Sequence, residues 1–193
     1  MCNRYGYLAP VVDLVEEFSQ TRIPIRWPEA GARLNLPPLE EIRPTDPAPL
    51  IRAHDGGGSR LDMIRWGFPP PPGRKGRPVI NFRSEGRRFT TGRCLIPASH
   101  FFEFTGEKYP KTKWRFTKPG EPLFCIAGLW REGSEGPAFT MLTVEPGPDV
   151  ARFHDRQVAV LDKADWADWL DPGVEAGPML RTRPAGTLAV EAT

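Results

Sequence analysis

The second residue of the chain has the potential for unusual chemistry. Cys2 follows Met1 directly, so removal of Met1 would make Cys2 the N-terminal residue. Its α-carbon would then carry a free amine, with a thiol one bond further out. This pair reacts in ways that an internal cysteine cannot, provided that the rest of the chain builds a site around it.

Two further stretches hold groups that exchange protons. Glu103 lies among phenylalanines in SHFFEF, and strand alternation places it on the same face as Phe101. Because an aromatic neighbour excludes water, we expect the pKa of Glu103 to be raised toward the range of a general acid. His154 in FHDRQVAVL can exchange a proton near neutral pH, and either Asp155 or Arg156 could orient it or contact a phosphate.

A third stretch, VINFRSEG, offers hydrogen-bonding and charged groups. Asn81 is predicted to end a strand and can both donate and accept. Arg83 follows with the same strand parity, so the two side chains are expected to face the same side. Each stretch also has an ordinary explanation: a glutamate on a solvated strand face, a structural histidine beside an ion pair, or the turn chemistry that asparagine favours.

Short strands are the elements that must position these residues. The 23 prolines argue against a helical bundle, because proline is excluded from the interior of a helix. Runs rich in β-branched and aromatic residues, bounded by Gly, Pro and charge clusters, predict many strands, including LDMIRWGF, RCLIP, PLFCIAGLW and AFTMLTV. We expect one α+β domain over residues 1–193, formed by a mostly antiparallel, curled β-sheet or barrel with a few helices.

Two helices, a loop and an unpatterned tail complete the predicted organisation. The early helix has an apolar stripe at helical spacing, formed by Val11, Leu14, Val15 and Phe18. The late helix is expected to begin at an Asp162 cap and to end before Pro172, with an apolar stripe formed by Trp166, Trp169 and Leu170. Residues 67–78 are predicted to be a surface loop, and residues 181–193 show no strong pattern.

Composition and charge narrow the class of protein. No apolar run approaches the roughly 20 residues of a membrane span, and no secretion signal is recognisable. The three cysteines are widely separated, which predicts a reducing, cytoplasmic compartment without disulfides, metal or other cofactors. We expect a monomer that does not associate with membranes.

Positive charge is concentrated in one segment. Between Arg60 and Arg93 nine basic residues accompany two acidic ones, which gives the segment a charge of +7 in a chain whose net charge is +2. Such asymmetry is typical of a site for a polyanion, although a solvated basic loop would explain it equally well.

Six motifs taken together resemble the SOS response-associated peptidase (SRAP) family, also described as abasic-site processing proteins. In chain order they are MCNRY, RLNLPP, RWGFPP, INFRSEG, RCLIPASHFFEF and HDRQVAVL. The resemblance is strongest over residues 1–170. It departs from the family pattern at Phe104, where a tryptophan is usual, and at Pro71 and Pro72, where aromatic residues are usual.

The resemblance implies the SRAP fold and a function on damaged DNA. Family members bind single-stranded DNA and react covalently with abasic sites, whose opened sugar is an aldehyde. The amine of an N-terminal cysteine condenses with the aldehyde to an imine, and the thiol then closes a thiazolidine ring. An α-amine suits this reaction because its ordinary pKa is about 8, well below the value of about 10.4 for lysine. The adduct would shield the lesion, or the imine would undergo β-elimination.

The same resemblance implies a role for each matching residue. Cys2 would be the nucleophile, Asn81 would hydrogen-bond the sugar or the amine, and Glu103 and His154 would move protons. The residues implied for DNA binding are Arg4, Pro38 and Arg83, with the rest of the +7 segment adding salt-sensitive attraction.

Two other functions remain open from the sequence. The first is an amidohydrolase or peptidase with Cys2 as N-terminal nucleophile, although such enzymes need a larger sandwich with long helices. The second is a non-catalytic barrel that binds nucleic acid. It would explain the basic segment but gives no reason for Cys2 or Glu103.

Overall fold

The strands of this protein form two β-sheets that pack against each other. A computed structural model describes residues 2–26 and 36–193. Within these residues the strands are β1 (Arg4–Tyr7), β2 (Leu39–Ile42), β3 (Pro47–Ala53), β4 (Ser59–Trp66), β5 (Asn81–Arg83), β6 (Arg93–Ala98), β7 (His100–Thr105), β8 (Thr112–Thr117), β9 (Phe124–Arg131), β10 (Ala138–Val144), β11 (Gln157–Val158), β12 (Val160–Leu161) and β13 (Ala189–Ala192).

The first sheet is antiparallel and has the order β13-β8-β7-β1-β2. Arg4 lies opposite Phe102 across β1 and β7, and Glu103 lies opposite Trp114 across β7 and β8. This register brings the first residues of the chain beside the strand that carries Glu103.

The second sheet closes on itself. Its order is β11-β10-β4-β3-β6-β9-β12, and β10 also pairs with β9. The ring of strands that results is antiparallel except where β10 runs parallel to β4, and β5 is a further parallel neighbour of β10. The predicted α+β class and the mostly antiparallel, curled sheet are therefore confirmed.

Aromatic side chains fill the space between the sheets. Tyr5 on β1 meets Trp66 on β4 edge to face, with ring centroids 5.1 Å apart. Both side chains are fully buried, so this contact joins the two sheets directly below the start of the chain. Edge-to-face packing of this kind adds to the stabilisation from burial itself.

The described residues form two α-helices, as the apolar spacing predicted, and the second of them packs against β6 of the second sheet. The first, α1 (Val11–Ser19), buries Leu14 and Phe18. The second, α2 (Trp166–Leu170), follows a 3-10 turn and buries its two tryptophans and leucine. Phe18 stacks on Trp166 with centroids 5.0 Å apart, so each helix covers part of the other.

The prediction that the Asp162 side chain caps the second helix is wrong. Asp162 makes no capping hydrogen bond, because its carboxylate pairs with the guanidinium groups of Arg181 and Arg183. Arg183 is buried and also donates to the carbonyl of Val160 at 2.9 Å. The tail therefore has structure that its sequence did not reveal, and it ends in β13 at the edge of the first sheet.

A glycine in β1 allows a close crossing. A Cβ atom at Gly6 would lie 2.4 Å from the ring of His100 and 2.6 Å from the carbonyl oxygen of Glu40. His100 is buried, and its Nε2 donates to that carbonyl at 3.0 Å. The His100 side chain of β7 therefore passes over Gly6 of β1 and hydrogen-bonds β2.

Several smaller expectations can be compared with the structure. Residues 67–78 contain no strand or helix, as predicted for a loop. All three cysteines are buried free thiols. No helix in residues 2–26 and 36–193 is long and apolar enough to span a membrane. In the RLNLPP motif, residues 33–35 lie outside the described residues.

Candidate active site

Cys2 lies where the two sheets meet. It precedes β1 and is buried, and its thiol donates to the carbonyl of Arg4 at 3.1 Å. The side-chain amide of Asn81 donates to the carbonyl of Cys2 at 2.7 Å. Asn81 begins β5 rather than ending a strand as predicted, because Val79 before it pairs with Phe68 in an isolated bridge outside that strand. Cys2 is thus contacted by the first sheet through Arg4 and by the second sheet through Asn81.

Glu103 on β7 contacts the backbone nitrogen of Cys2. Burial raises the pKa of the Glu103 carboxyl to about 7, and a hydrogen bond from the Cys2 N–H acts in the opposite direction. The negative charge of Asp155 raises that pKa further. The predicted rise in the pKa of Glu103 is confirmed. A carboxyl with this pKa can donate and accept a proton near neutral pH.

The Cys2 thiol is held in its neutral form. Burial raises its pKa to about 12, and the negative charge of Glu103 adds to this effect. Hydrogen bonds involving the backbones of Arg4 and Phe102 act against it. The sulfur is therefore a protonated thiol at neutral pH, and it needs a neighbouring base before it can form a bond.

His154 ends a turn and offers one nitrogen to two competing partners. Its Nδ1 accepts from the backbone N–H of Arg156 at 3.0 Å and lies 2.7 Å from the carboxylate of Asp155. Accepting from the Arg156 N–H requires an Nδ1 without a proton, as in a neutral ring protonated on Nε2. Contact with the Asp155 carboxylate requires a proton on Nδ1, as in a doubly protonated ring. Burial lowers the pKa of His154, and Asp155 raises it. Because burial is the larger effect, we assign the neutral ring with Nε2 as donor.

Glu103 and His154 line the same groove. This groove, called the Glu103 groove below, has a volume of about 510 Å³. Its other lining residues are Asn3, Arg4, Phe104, Tyr109, Pro110, Lys111 and Lys113. The opening next to Cys2 is thus surrounded by these two proton-transfer groups, by the half-buried ring of Phe104 and by three cations. The cations are Arg4, Lys111 and Lys113.

Arg4 is paired within the protein through a residue that sequence reasoning missed. Its guanidinium binds the carboxylate of Glu41 at 3.1 Å, and the same carboxylate also pairs with Arg43 and Lys113. The hydrogen bond from Lys113 contributes most to a lowered pKa of Glu41, so the carboxylate is ionised. Three cations therefore share one anion at the edge of the groove.

A sequence signal for Lys113 was present. The turn GEKYPKTK joins two strand-like runs, which is the pattern of a β-hairpin. Pairing those runs places Lys113 opposite Phe104, one residue from Glu103, as β7 and β8 show. No comparable signal exists for Glu41, because its strand pairs with β1 across a long separation in the chain.

Arg156 connects the motif HDRQVAVL, to which it belongs, with Glu85 of the motif INFRSEG. Its guanidinium is buried and binds Glu85 through two hydrogen bonds of 2.6 and 2.9 Å, while also donating to the carbonyl of Thr143 at 2.8 Å. A phosphate contact for Arg156, one of the two options above, therefore does not fit this arrangement. Its backbone N–H orients His154 instead, and its side chain fixes the loop after β5.

The remaining predicted DNA-binding residues lie outside the Glu103 groove. Pro38 is exposed just before β2, and Arg83 is exposed at the end of β5. Part of the +7 segment has a structural role: Arg93 is buried and donates to two backbone carbonyls, and Arg60 pairs with Asp62. Among the described residues, no group of three or more His, Cys, Asp and Glu could hold a metal ion.

A family model described as SOS response associated peptidase (SRAP) matches residues 1–190. The chain belongs to this family. Among its relatives is the abasic site processing protein YoqW of Bacillus subtilis, which is 28% identical to this SRAP chain over 190 residues. The match covers 89% of this chain and 81% of YoqW.

Solved structures share the fold of this SRAP chain. A protein from Bordetella bronchiseptica superposes with a TM-score of 0.77 at 22% identity, covering 100% of this chain and 99% of that one. A protein from Bacteroides thetaiotaomicron also gives 0.77, at 15% identity, covering 99% of this chain and 91% of that one. The two curled sheets are thus retained at low sequence identity.

Proposed function

We propose that this protein processes abasic sites in single-stranded DNA by forming a covalent bond through Cys2. The observation that carries the proposal is the hydrogen bond between the Cys2 backbone nitrogen and Glu103. Once Met1 is removed, that nitrogen is a primary amine, and the acid–base group of Glu103 already contacts it. The names of relatives such as YoqW support the choice of an abasic site as substrate.

The first chemical step joins the amine to the sugar. In its open form the abasic sugar presents an aldehyde, and the Cys2 amine attacks its carbon atom. The resulting carbinolamine loses water to give an imine, and the protonated carboxyl of Glu103 supplies the proton that the departing hydroxyl needs. His154, with a proton on Nε2, lines the same groove and assists opening of the sugar ring by donating a hydrogen bond to its oxygen.

The second step uses the thiol. The sulfur of Cys2 attacks the carbon of the protonated imine, and the thiol proton passes to the Glu103 carboxylate. The electron pair of the C=N bond moves to the nitrogen, which becomes a neutral secondary amine. A five-membered thiazolidine ring results, which holds sugar and protein together through one C–N and one C–S bond. The raised pKa of the thiol supports this order of events, because the sulfur stays neutral until a base takes its proton.

The other predicted residues fit supporting roles. Asn81 fixes the carbonyl of Cys2, which holds the amine toward Glu103. Arg4 and Arg83 would bind phosphates on either side of the lesion, and Pro38 would contact the displaced bases. The protein would act as a monomer in the cytoplasm, and residues 1–193 would form one functional domain. Cleavage of the DNA by β-elimination, or of peptides, would be a secondary activity of the same imine or nucleophile.

A denaturing gel tests the covalent step. The purified protein, with its N-terminus verified by mass spectrometry, is mixed with single-stranded DNA that carries one abasic site. We expect a shifted band that survives boiling in detergent and that an intact strand does not produce. A mature protein with Cys2 at its N-terminus that yields no such band would refute the proposal.

Variants separate the amine from the thiol. Cys2→Ala keeps an N-terminal amine but cannot close the ring, so its band should appear only when borohydride reduces the imine. Cys125→Ala, which removes a buried internal thiol instead, should behave as the unmodified protein does. If Cys2→Ala gives a stable band without reductant, then the adduct is not a thiazolidine.

A further inference from the structure

A second surface rich in arginine and aromatic rings lies beyond β5. It is called the Phe82 surface here and is formed by Phe68, Phe82, Arg87, Arg88, Trp130 and Arg131, which line one groove of about 330 Å³. Because neighbouring side chains of a strand point to opposite faces, Phe82 projects away from the face on which Asn81 contacts Cys2.

The cations of this surface lie over aromatic rings. The guanidinium of Arg87 is 4.6 Å from the centroid of Phe82, and that of Arg131 is 4.2 Å from the centroid of Phe68. Within residues 2–26 and 36–193, neither arginine forms an ion pair, and Arg88 forms none either.

Two nearby acidic groups do not compensate this charge. Glu85 is engaged by Arg156, and Glu135 is engaged by Arg65. The charge is therefore available to an external anion.

The Phe82 surface extends into a second groove. The neighbouring groove has a volume of about 410 Å³ and shares Arg87, Arg88, Phe89 and Thr90 with the first. Among the described residues that line the two grooves, Glu175 is the single carboxylate. The shape is thus long rather than cup-like, which fits a chain of anions better than one compact phosphate.

Single-stranded DNA fits this combination of groups. Its phosphates match the arginines, and its unpaired bases offer faces that stack on aromatic rings and guanidinium planes. A double helix offers phosphates alone along its sides, so the exposed parts of the rings would gain nothing from it. Salt-sensitive attraction and stacking together are typical of surfaces that bind a single strand without sequence preference.

A path connects this surface to the Glu103 groove. β5 pairs with β10 on one side, and no other strand of the described chain pairs with it. A DNA strand that leaves the site beside Asn81, which contacts Cys2, meets exposed Arg83 and then crosses the open edge of β5. We propose that the Phe82 surface binds single-stranded DNA beyond the lesion, an inference that rests on the proposed function for its choice of ligand.

Binding of undamaged strands of two lengths tests the inference. A strand of about five nucleotides fills the Glu103 groove, whereas one of about twenty also reaches the Phe82 surface. In Arg87→Gln/Arg88→Gln, the affinity for the long strand should fall and its salt dependence should weaken. The slope of log K against log salt should change by about 1.4, since each phosphate contact contributes about 0.7. The short strand should bind as before.

Two matched variants complete the design. Arg22→Gln/Lys163→Gln removes the same charge near the helices, where both residues are paired with acidic groups, and should leave both affinities unchanged. Phe82→Leu keeps an apolar side chain but removes the stacking ring, so it should weaken the long strand alone.

Two results would overturn the inference. One is an equal loss of affinity for both strand lengths in Arg87→Gln/Arg88→Gln. The other is an unaltered slope of log K against log salt for the long strand in that variant. Failure of the proposed function is visible separately: the unmodified protein would form no adduct with abasic DNA while the length-dependent loss remained.

Discussion

Replacing Glu103 with glutamine should stabilise the protein at alkaline pH. The ordinary pKa of 4.5 is raised to about 7 in the folded protein, mainly by burial. The folded protein therefore holds this proton more tightly than the unfolded chain does. The contribution of this tighter proton binding to the free energy of unfolding is fully present below pH 4.5. It decreases between pH 4.5 and about pH 7 and is absent above that range.

The size of the effect follows from the shift. Each pKa unit corresponds to 1.36 kcal/mol, so ionised Glu103 lowers the free energy of unfolding by about 3 kcal/mol at pH 8. Glutamine has a similar shape, and its oxygen can still accept from the Cys2 N–H. Glu103→Gln should therefore be more stable than the unmodified protein by about 3 kcal/mol at pH 8, and by little at pH 4.

Urea unfolding at the two pH values measures this difference. Both proteins must have the same N-terminus, verified by mass spectrometry, because Cys2 contacts the altered side chain. Glu107→Gln removes an equal charge from an exposed turn after the same strand and should change stability by less than about 0.5 kcal/mol at either pH. A Glu103→Gln protein with no added stability at pH 8 would show that the carboxylate is well solvated, and the assigned acid–base role would lose its basis.

Three other changes have defined outcomes. Gly6→Ala should lower the free energy of unfolding by about 1 to 3 kcal/mol, measured by thermal or urea unfolding, because its Cβ would overlap the ring of His100. Arg156→Met combined with Glu85→Gln in a double-mutant cycle should give a coupling energy of about 1 kcal/mol, and the single Arg156 change should also slow adduct formation. Glu41→Gln should tighten binding of single-stranded DNA and steepen its salt dependence, since it leaves three cations without their shared anion.

Each of these predictions has a control. Gly76→Ala adds a Cβ at an ordinary contact distance of 3.7 Å, so it should not alter stability. A coupling energy near zero between Arg156 and Glu85 would mean that the pair does not hold the loop after β5. For Glu41, Glu121→Gln in the turn after β8 is the matched change. Weaker DNA binding by the Glu41 variant would show that the carboxylate organises the cations rather than competing with DNA.

Local features of the structure could be predicted from the sequence. The apolar spacing of α1 and the two tryptophans of α2 indicate which side of each helix is buried. The phenylalanines around Glu103 indicate that its carboxyl is desolvated, and the structure gives the raised pKa that this implies. In each case the determining residues are near neighbours in the chain, so periodicity is enough.

Features that depend on distant partners could not be predicted. The hydrogen bond from Asn81 to Cys2 joins residues 79 positions apart, and the pairing of Arg4 with Glu41 spans 37. Asp162 was expected to cap a helix because aspartate commonly does so, but two arginines of the tail compete for the same carboxylate. Such choices are made by the folded arrangement of the sheets, which no local pattern contains.

The neutral form of the Cys2 thiol affects how readily its sulfur is oxidised. Oxidants such as peroxide attack the thiolate, and a thiol with a pKa near 12 has about one molecule in 100,000 in that form at neutral pH. Cys94 and Cys125 are also buried, and burial raises their pKa values well above the ordinary range. We therefore expect this protein to stay reduced while peroxide is present, and under the proposed mechanism its sulfur would become reactive only when an aldehyde has already been captured beside it.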